Sequence, residues 1–189
     1  MGEPQLEMRY SYADYLTWDD NKRWELIDGI PYAMSPAPKR RHQKIGMHLS
    51  VKLFNFLKGK SCEVYSAPFD VVLSDITLSK NIDTVVQPDI SVICDESKLT
   101  ELGCKGAPDL IIEILSESTA KKDATIKKDL YEKHGVKEYW LVDTWTESVR
   151  IYLLKNNKYG FPKVYEAEMD IPVSSLKGLT INVKDIFEI

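Results

Sequence analysis

Two apolar, β-branched runs, VVQPDISVIC over residues 85–94 and PDLIIEILSEST over residues 108–119, each carry one carboxylate where a core strand normally places a hydrophobe. The carboxylates are Asp89 and Glu113. Strand alternation groups Val85, Gln87, Asp89, Ser91 and Ile93 on one face, with Val86, Pro88, Ile90, Val92 and Cys94 behind them. In the second run Asp109, Ile111, Glu113 and Leu115 point together. Placed side by side, the two strands bring two or three carboxylates onto one patch. Desolvation and mutual repulsion make such a patch costly unless a cation sits there. Oxygen-only ligation suits magnesium, and manganese is an acceptable substitute.

The remainder of the chain can support such a site. Its 189 residues, 43% of them hydrophobic, fit one domain with a full core. The apolar runs are strand-sized and no charged-then-apolar leader opens the sequence, so neither a membrane span nor a secretory signal is read and a cytoplasmic location is expected. Cys62, Cys94 and Cys104 are odd in number and show no CxxC spacing, which predicts reduced, structural thiols. A net charge of −4 argues against a generic nucleic-acid coat but not against a nuclease. Positive charge gathers at Lys39, Arg40, Arg41 and Lys44, and again at Lys121, Lys122, Lys127 and Lys128. Each group reads equally as a basic rim around an acidic site or as a solvated helix end.

Taken in order, residues 11–19 predict a short helix with Ser11 as N-cap and Tyr12, Tyr15, Leu16 and Trp18 on its packed side. RWELIDGIPYAMS predicts two strands about the Asp28-Gly29 turn; Glu25 on the first reads as a solvent-facing edge residue, with a place in the acidic site as the alternative. A Pro-rich turn leads into a helix from about 40 to 58, where His42, Ile45, Leu49, Leu53 and Phe56 share one stripe. Residues 62–74 predict a strand broken at Pro68, and residues 74–83 a polar hairpin loop. A helix from about Thr119 to His134 follows the carboxylate strands. Its stripe of Ala120, Ala124, Lys127 and Tyr131, flanked by Ile126 and Leu130, runs at the spacing of a buried face, so Lys127 wants an anion. Lys121, Lys122, Lys128, Asp129 and Lys133 form the opposite, solvated face. Gly135 ends the helix, VKEYWLVDT predicts a further strand of the same sheet, and short strands and a terminal turn complete the chain.

The order helix, strand, strand, strand, helix, strand, with carboxylates on the second and third strands, resembles the core of the PD-(D/E)xK nuclease superfamily. Pro88-Asp89 matches its PD, and Glu113-Ile114-Leu115 occupies the (D/E)xK tripeptide. The set ELIDG at 25–29, HQ at 42–43, APFDV at 67–71, QPD at 87–89, PDLIIEILSEST at 108–119, DATIKKDLY at 123–131 and GVKEYW at 135–140 resembles the Uma family of small restriction endonucleases over residues 10–185. That resemblance implies an α/β (α+β) fold over residues 1–189, with a restriction-endonuclease-like αβββαβ core at about 40–143. Its mixed central sheet is flanked by helices, with an N-terminal hairpin and C-terminal strands around it.

The resemblance also implies magnesium-dependent hydrolysis of DNA, with Asp89, Glu113 and the Ile114 carbonyl holding metal. One departure matters: the tripeptide lysine is Leu115 here. Lys127, on the following helix, is the replacement that helical phase points to. Glu25 is an outer metal or water ligand, His42 and Gln43 approach the phosphate or a ligand carboxylate, and Tyr131 holds Lys127. The rival reading is a nuclease fold retained for binding nucleic acid or a protein partner without catalysis, favoured by the missing tripeptide lysine and the acidic balance. Cutting both strands of a duplex needs two sites, so a homodimer through the C-terminal strands and Trp145, Tyr152 and Tyr159 is expected.

Overall fold

The computed structural model describes residues 4–5, 8–34, 37–73 and 83–188. Two sheets face each other across a shared apolar layer. The first runs in the order β2 (Ile30–Ala33), β1 (Trp24–Ile27), β5 (Val85–Val86), β4 (Asp70–Val72), β8 (Gly103–Lys105) and β7 (Leu99–Thr100). The second runs β12 (Lys158–Tyr159), β11 (Ser148–Lys155), β10 (Glu138–Asp143), β9 (Leu110–Ile114), β6 (Ile90–Ile93) and β3 (Glu63–Ser66), with β13 (Lys163–Glu166) also paired to β11. In this second sheet β9 and β10 are parallel while β6 pairs antiparallel with both β3 and β9. It is the mixed sheet of the expected αβββαβ core. The N-terminal hairpin is present too, turning through Asp28 and Gly29, both at positive φ. A small pair, β14 (Asp170–Pro172) with β15 (Thr180–Asn182), and α5 (Lys184–Phe187) close the chain.

Alternation decides what each face of the second sheet meets. Ile90, Val92, Ile112, Ile114, Trp140 and Val142 pack against the helix α2 (Arg40–Leu57), whose Ile45, Leu49, Leu53 and Leu57 are all buried. On the other face Ile93, Ile111, Leu115, Tyr139 and Leu141 meet Val71, Val86 and Cys104 of the first sheet together with Leu130 and Tyr131. The outer side of the first sheet is covered by Tyr10, Tyr12, Tyr15 and Trp18 around α1 (Tyr12–Tyr15), which Ser11 and Asp14 cap reciprocally. Leu16, expected on that packed side, is half exposed. Among the described residues no helix is long and apolar enough to cross a membrane.

Three local expectations change. The run over residues 85–94 is not one strand: Val85–Val86 belong to the first sheet and Ile90–Ile93 to the second, so Gln87-Pro88-Asp89 is the crossing between them. Pro88 has no N–H for a ladder, which suits a strand break. Residues 62–74 split the same way, β3 and β4 lying in different sheets on either side of the cis Ala67-Pro68 bond. Cys62 and Cys94 form a disulfide, leaving Cys104 as the free, buried thiol. The antiparallel register Glu63↔Ile93 sets Cys62 opposite Cys94, a proximity that 32 residues of separation concealed. The predicted hairpin loop at 74–83 lies, apart from Asp83, outside the described residues.

Candidate active site

The helix after β9 is not uniform. It runs as α3 (Ala120–Lys122), a π-helical turn over Asp123–Lys127, and α4 (Lys128–His134), ending on Gly135 in the left-handed conformation. On a regular α-helix, residues five apart are separated by about 140° around the axis, which is why Lys122 reads as solvated when Lys127 reads as buried. Wider π winding brings i and i+5 to the same side. Both lysines accordingly reach Glu25, at 2.6 Å for Lys122 and 2.7 Å for Lys127. Tyr139, on β10, pins the turn by donating its hydroxyl to the Asp123 carbonyl at 3.0 Å.

Glu25 is therefore not a solvent-facing edge residue. Its strand lies between β2 and β5, its side chain is 0% exposed, and it faces inward beside Ile27. The Gln87 backbone N–H also donates to it, at 3.2 Å. Burial pushes its pKa up, yet Lys127 and Lys122 together outweigh that and hold it at about 2. From the opposite sheet Glu113 meets the same ammonium: Lys127 Nζ is 2.8 Å from its Oε1, which also accepts from the Tyr131 hydroxyl at 2.9 Å. Burial, reinforced by Asp123, Asp89 and Glu25 and only partly offset by Lys127, pushes Glu113 up to about 8. The Lys127 side chain is 4% exposed. Desolvation alone would strip its proton, but Glu113, Glu25 and Asp123 hold its pKa well above the ordinary lysine range. Burial and the Glu113 carboxylate likewise raise that of Tyr131.

Asp89 sits one step away, at the start of β6. Its Oδ2 accepts from the Ile114 N–H at 2.8 Å and lies 3.2 Å from His42 Nε2. The Asp89 N–H makes a long 3.4 Å contact to Glu113 Oε2. His42 comes from the first turn of α2; burial works against its charge, but Asp89 and the Ile114 carbonyl, both accepting from the ring, raise its pKa. Glu25, His42, Asp89, Glu113, Ile114, Lys127 and Gln43 all border one cleft of about 700 Å³, whereas Tyr131 reaches Glu113 from behind the wall.

Two predicted members stand apart. Gln43 is exposed on the cleft wall, with no side-chain hydrogen bond among the described residues. Asp109, which alternation aligns with Glu113, lies at the far end of its strand, where it accepts from the Cys94 N–H at 2.8 Å and Lys137 at 2.6 Å. Two others were missed. Lys122 was hidden by the π turn. Asp123, 2% exposed and 3.7 Å from Lys127, was legible as the residue four before an inward lysine. Among the described residues no three His, Cys, Asp or Glu side chains are grouped to hold a metal.

A comparison with known families matches residues 12–184 to Uma2, described as "Putative restriction endonuclease". The chain belongs to the Uma2 family. In sequence the chain is also similar to an uncharacterized protein of Synechocystis sp., 28% identical over 182 residues, spanning 95% of this chain and 92% of that one. The Uma2 chain also superposes on a crystal structure from Anabaena variabilis, described as "a putative nuclease belonging to DUF820", with a TM-score of 0.75. At 22% identity over 94% of this chain and 97% of that one, the likeness is one of fold.

Proposed function

We propose that the chain is a magnesium-dependent endonuclease that hydrolyses DNA phosphodiesters, manganese serving as a substitute. Family membership and fold support nuclease chemistry in general. The observation that carries the finer reading is Lys127, shared between Glu25 of one sheet and Glu113 of the other at 2.7 and 2.8 Å, beside Asp89. The cation absent from the tripeptide is thus supplied to Glu113 from the helix, while Leu115, 2% exposed, packs in the core.

The donor set fits a hard cation. Among the described residues Glu113 Oε2 is engaged by the 3.4 Å contact alone, Asp89 retains 25% side-chain exposure, and the Ile114 carbonyl faces the same corner. Two carboxylates and a carbonyl leave the other positions to water and phosphate, the habit of magnesium. When bound there, a divalent ion polarises the phosphodiester and acidifies a water. Lys127, kept protonated by Glu25, places fixed positive charge where the phosphate oxygens gain negative charge. Tyr131 holds Glu113 from behind, and His42 orients Asp89. A homodimer through the C-terminal strands belongs to the same proposal, although Tyr152 and Tyr159 stack on Tyr139 instead of forming a surface, and a monomer mass by light scattering would remove it.

Thermal melts with and without millimolar Mg²⁺ or Mn²⁺, run beside plasmid cleavage, test the reading. Metal raises the melting temperature of the wild type and not of the Asp89→Asn, Glu113→Gln double variant. Equal wild-type melts with and without metal, together with intact plasmid, would refute it.

A further inference from the structure

We propose that the cleft takes an unpaired DNA strand and that Trp145 stacks on one of its bases, an inference that rests on the nuclease reading above. Three of the four tryptophans are used in packing. Trp24 donates its ring N–H to Asp20, Trp140 donates to Glu138, and Trp18 makes edge contacts with Tyr10, Tyr15 and Trp24. Trp145 is 53% exposed and has no ring partner among the described residues. It borders the same cleft as Glu113 and Lys127.

Single exposed apolar side chains are ordinary, so exposure alone decides nothing. Placement and bracing do. The turn after β10 is fixed by Asp143, whose Oδ1 accepts from the N–H groups of Trp145 at 3.0 Å and Thr146 at 3.2 Å. Its far side is tied to α2 by the ion pair of Glu147 with Arg41. The indole is thus presented on a held turn. Met47, 63% exposed, gives the cleft a further exposed apolar side chain, and Lys39 and Arg41 line it as well. Among the described residues those two cations are paired with exposed Glu117 and Glu147, partners that a phosphate can replace. Helix α2, which supplies this wall, has no acidic residue in a chain of net charge −4. An aromatic platform beside cations, above a floor bearing the reactive groups, is the chemistry that tracks a strand by its phosphates and holds a base by its face. A base inside a duplex has both faces covered by neighbours. The same restriction applies at the floor, where Glu113 is 3% and Lys127 4% exposed, out of reach of a phosphate held on the outside of a rigid duplex.

Binding in EDTA, without turnover, gives the test. The probes are a fluorescein-labelled oligothymidylate of about a dozen nucleotides and a labelled blunt duplex of about two helical turns, followed by anisotropy. The oligothymidylate binds about tenfold more tightly than the duplex; Trp145→Ala weakens it about tenfold, and Trp145→Phe retains most of the affinity. Wild-type affinity in Trp145→Ala, or equal affinity for both probes, overturns the proposal. Wild type and Asp89→Asn are assayed in parallel for cleavage of the same oligothymidylate in magnesium. If Asp89→Asn loses cleavage while Trp145→Ala binds normally, the stacking role alone is overturned; if Asp89→Asn cleaves at the wild-type rate, the nuclease reading falls, and this proposal with it.

Discussion

Replacing Lys127 with methionine removes the one cation among the described residues that touches carboxylates from both sheets. In the wild type its Nζ lies 2.7 Å from Glu25, 2.8 Å from Glu113 and 3.7 Å from Asp123, and no side chain of the four is more than 5% exposed. Deleting one partner of a buried ion pair costs about 3–5 kcal/mol, because the other charge is left without compensation. Two features bring the expectation to the lower end. Glu113, pushed up to about 8 even with the ammonium beside it, already holds a proton near neutrality and strands little charge, and Glu25 retains Lys122 at 2.6 Å. Lys127→Met should therefore lose about 3 kcal/mol, or about 6–12 °C in melting temperature for a domain of this size. Methionine conserves most of the apolar stem, so the loss is electrostatic. Adding Glu25→Gln to Lys127→Met removes the carboxylate that has lost one of its two ammonium partners and should recover part of the loss, a non-additivity between neighbours. Urea denaturation of wild type, both single variants and the double variant measures all four corners. A single-variant loss under about 1 kcal/mol, or strictly additive losses, would refute the assignment of Lys127 as shared counter-ion. Turnover of the folded Lys127→Met protein should fall about 10²-fold or more, read by plasmid cleavage below its melting temperature.

Asp70 accepts from Gln87, Tyr15 and Tyr12, and burial raises its pKa. A carboxyl raised in the folded state stabilises fully below its unfolded value and loses that contribution as pH rises through the folded one. Asp70→Asn should accordingly flatten the fall in stability just above about pH 4, seen by melts across pH; an unchanged slope would count against it. Gly103 has φ +144°, and a Cβ there would lie 2.2 Å from the Asp70 carbonyl oxygen. Gly103→Ala should cost more than about 3 kcal/mol in urea melts, against about 1 kcal/mol for Gly59→Ala, where φ is +77° and nothing lies within 4 Å. Thiol titration in denaturant without reductant should find Cys104 alone, and all three cysteines after reduction; three at the outset would exclude the Cys62–Cys94 bond.

Periodicity made much of this legible. Asp89 and Glu113 were conspicuous because each interrupts an apolar strand, and Lys127 because it falls on an inward helical stripe whose neighbours are alanines and a tyrosine. Glu25 was obscured for the opposite reason: Trp24, Leu26 and Ile27 around it are all buried, so alternation carried no sign of which face was wet. Lys122 was misread because helical phase presumes regular winding and the π turn breaks it. The disulfide and the splitting of residues 85–94 between two sheets depend on register and on partners distant in sequence, which a local pattern does not encode. Two further buried carboxylates illustrate the limit. Glu138 is satisfied by the Trp140 ring N–H and the Ser175 N–H, and Asp109 by Cys94 and Lys137, so burial of an acid alone did not mark the site.

The crossing at Gln87-Pro88-Asp89 also bears on how the chain acquires its chemistry. Glu25 and Lys122, 97 residues apart, meet only after the two sheets have come together, because one is carried by the first sheet and the other by the helix that follows β9 of the second. Contacts of such long range close late, once loop entropy has been overcome by the apolar layer between the sheets. A half-assembled chain then holds acids without their ammonium partners, and its cleft has no floor. Under the proposed function, hydrolytic competence would emerge as a property of the last docking event and be withheld from nascent or partly unfolded copies.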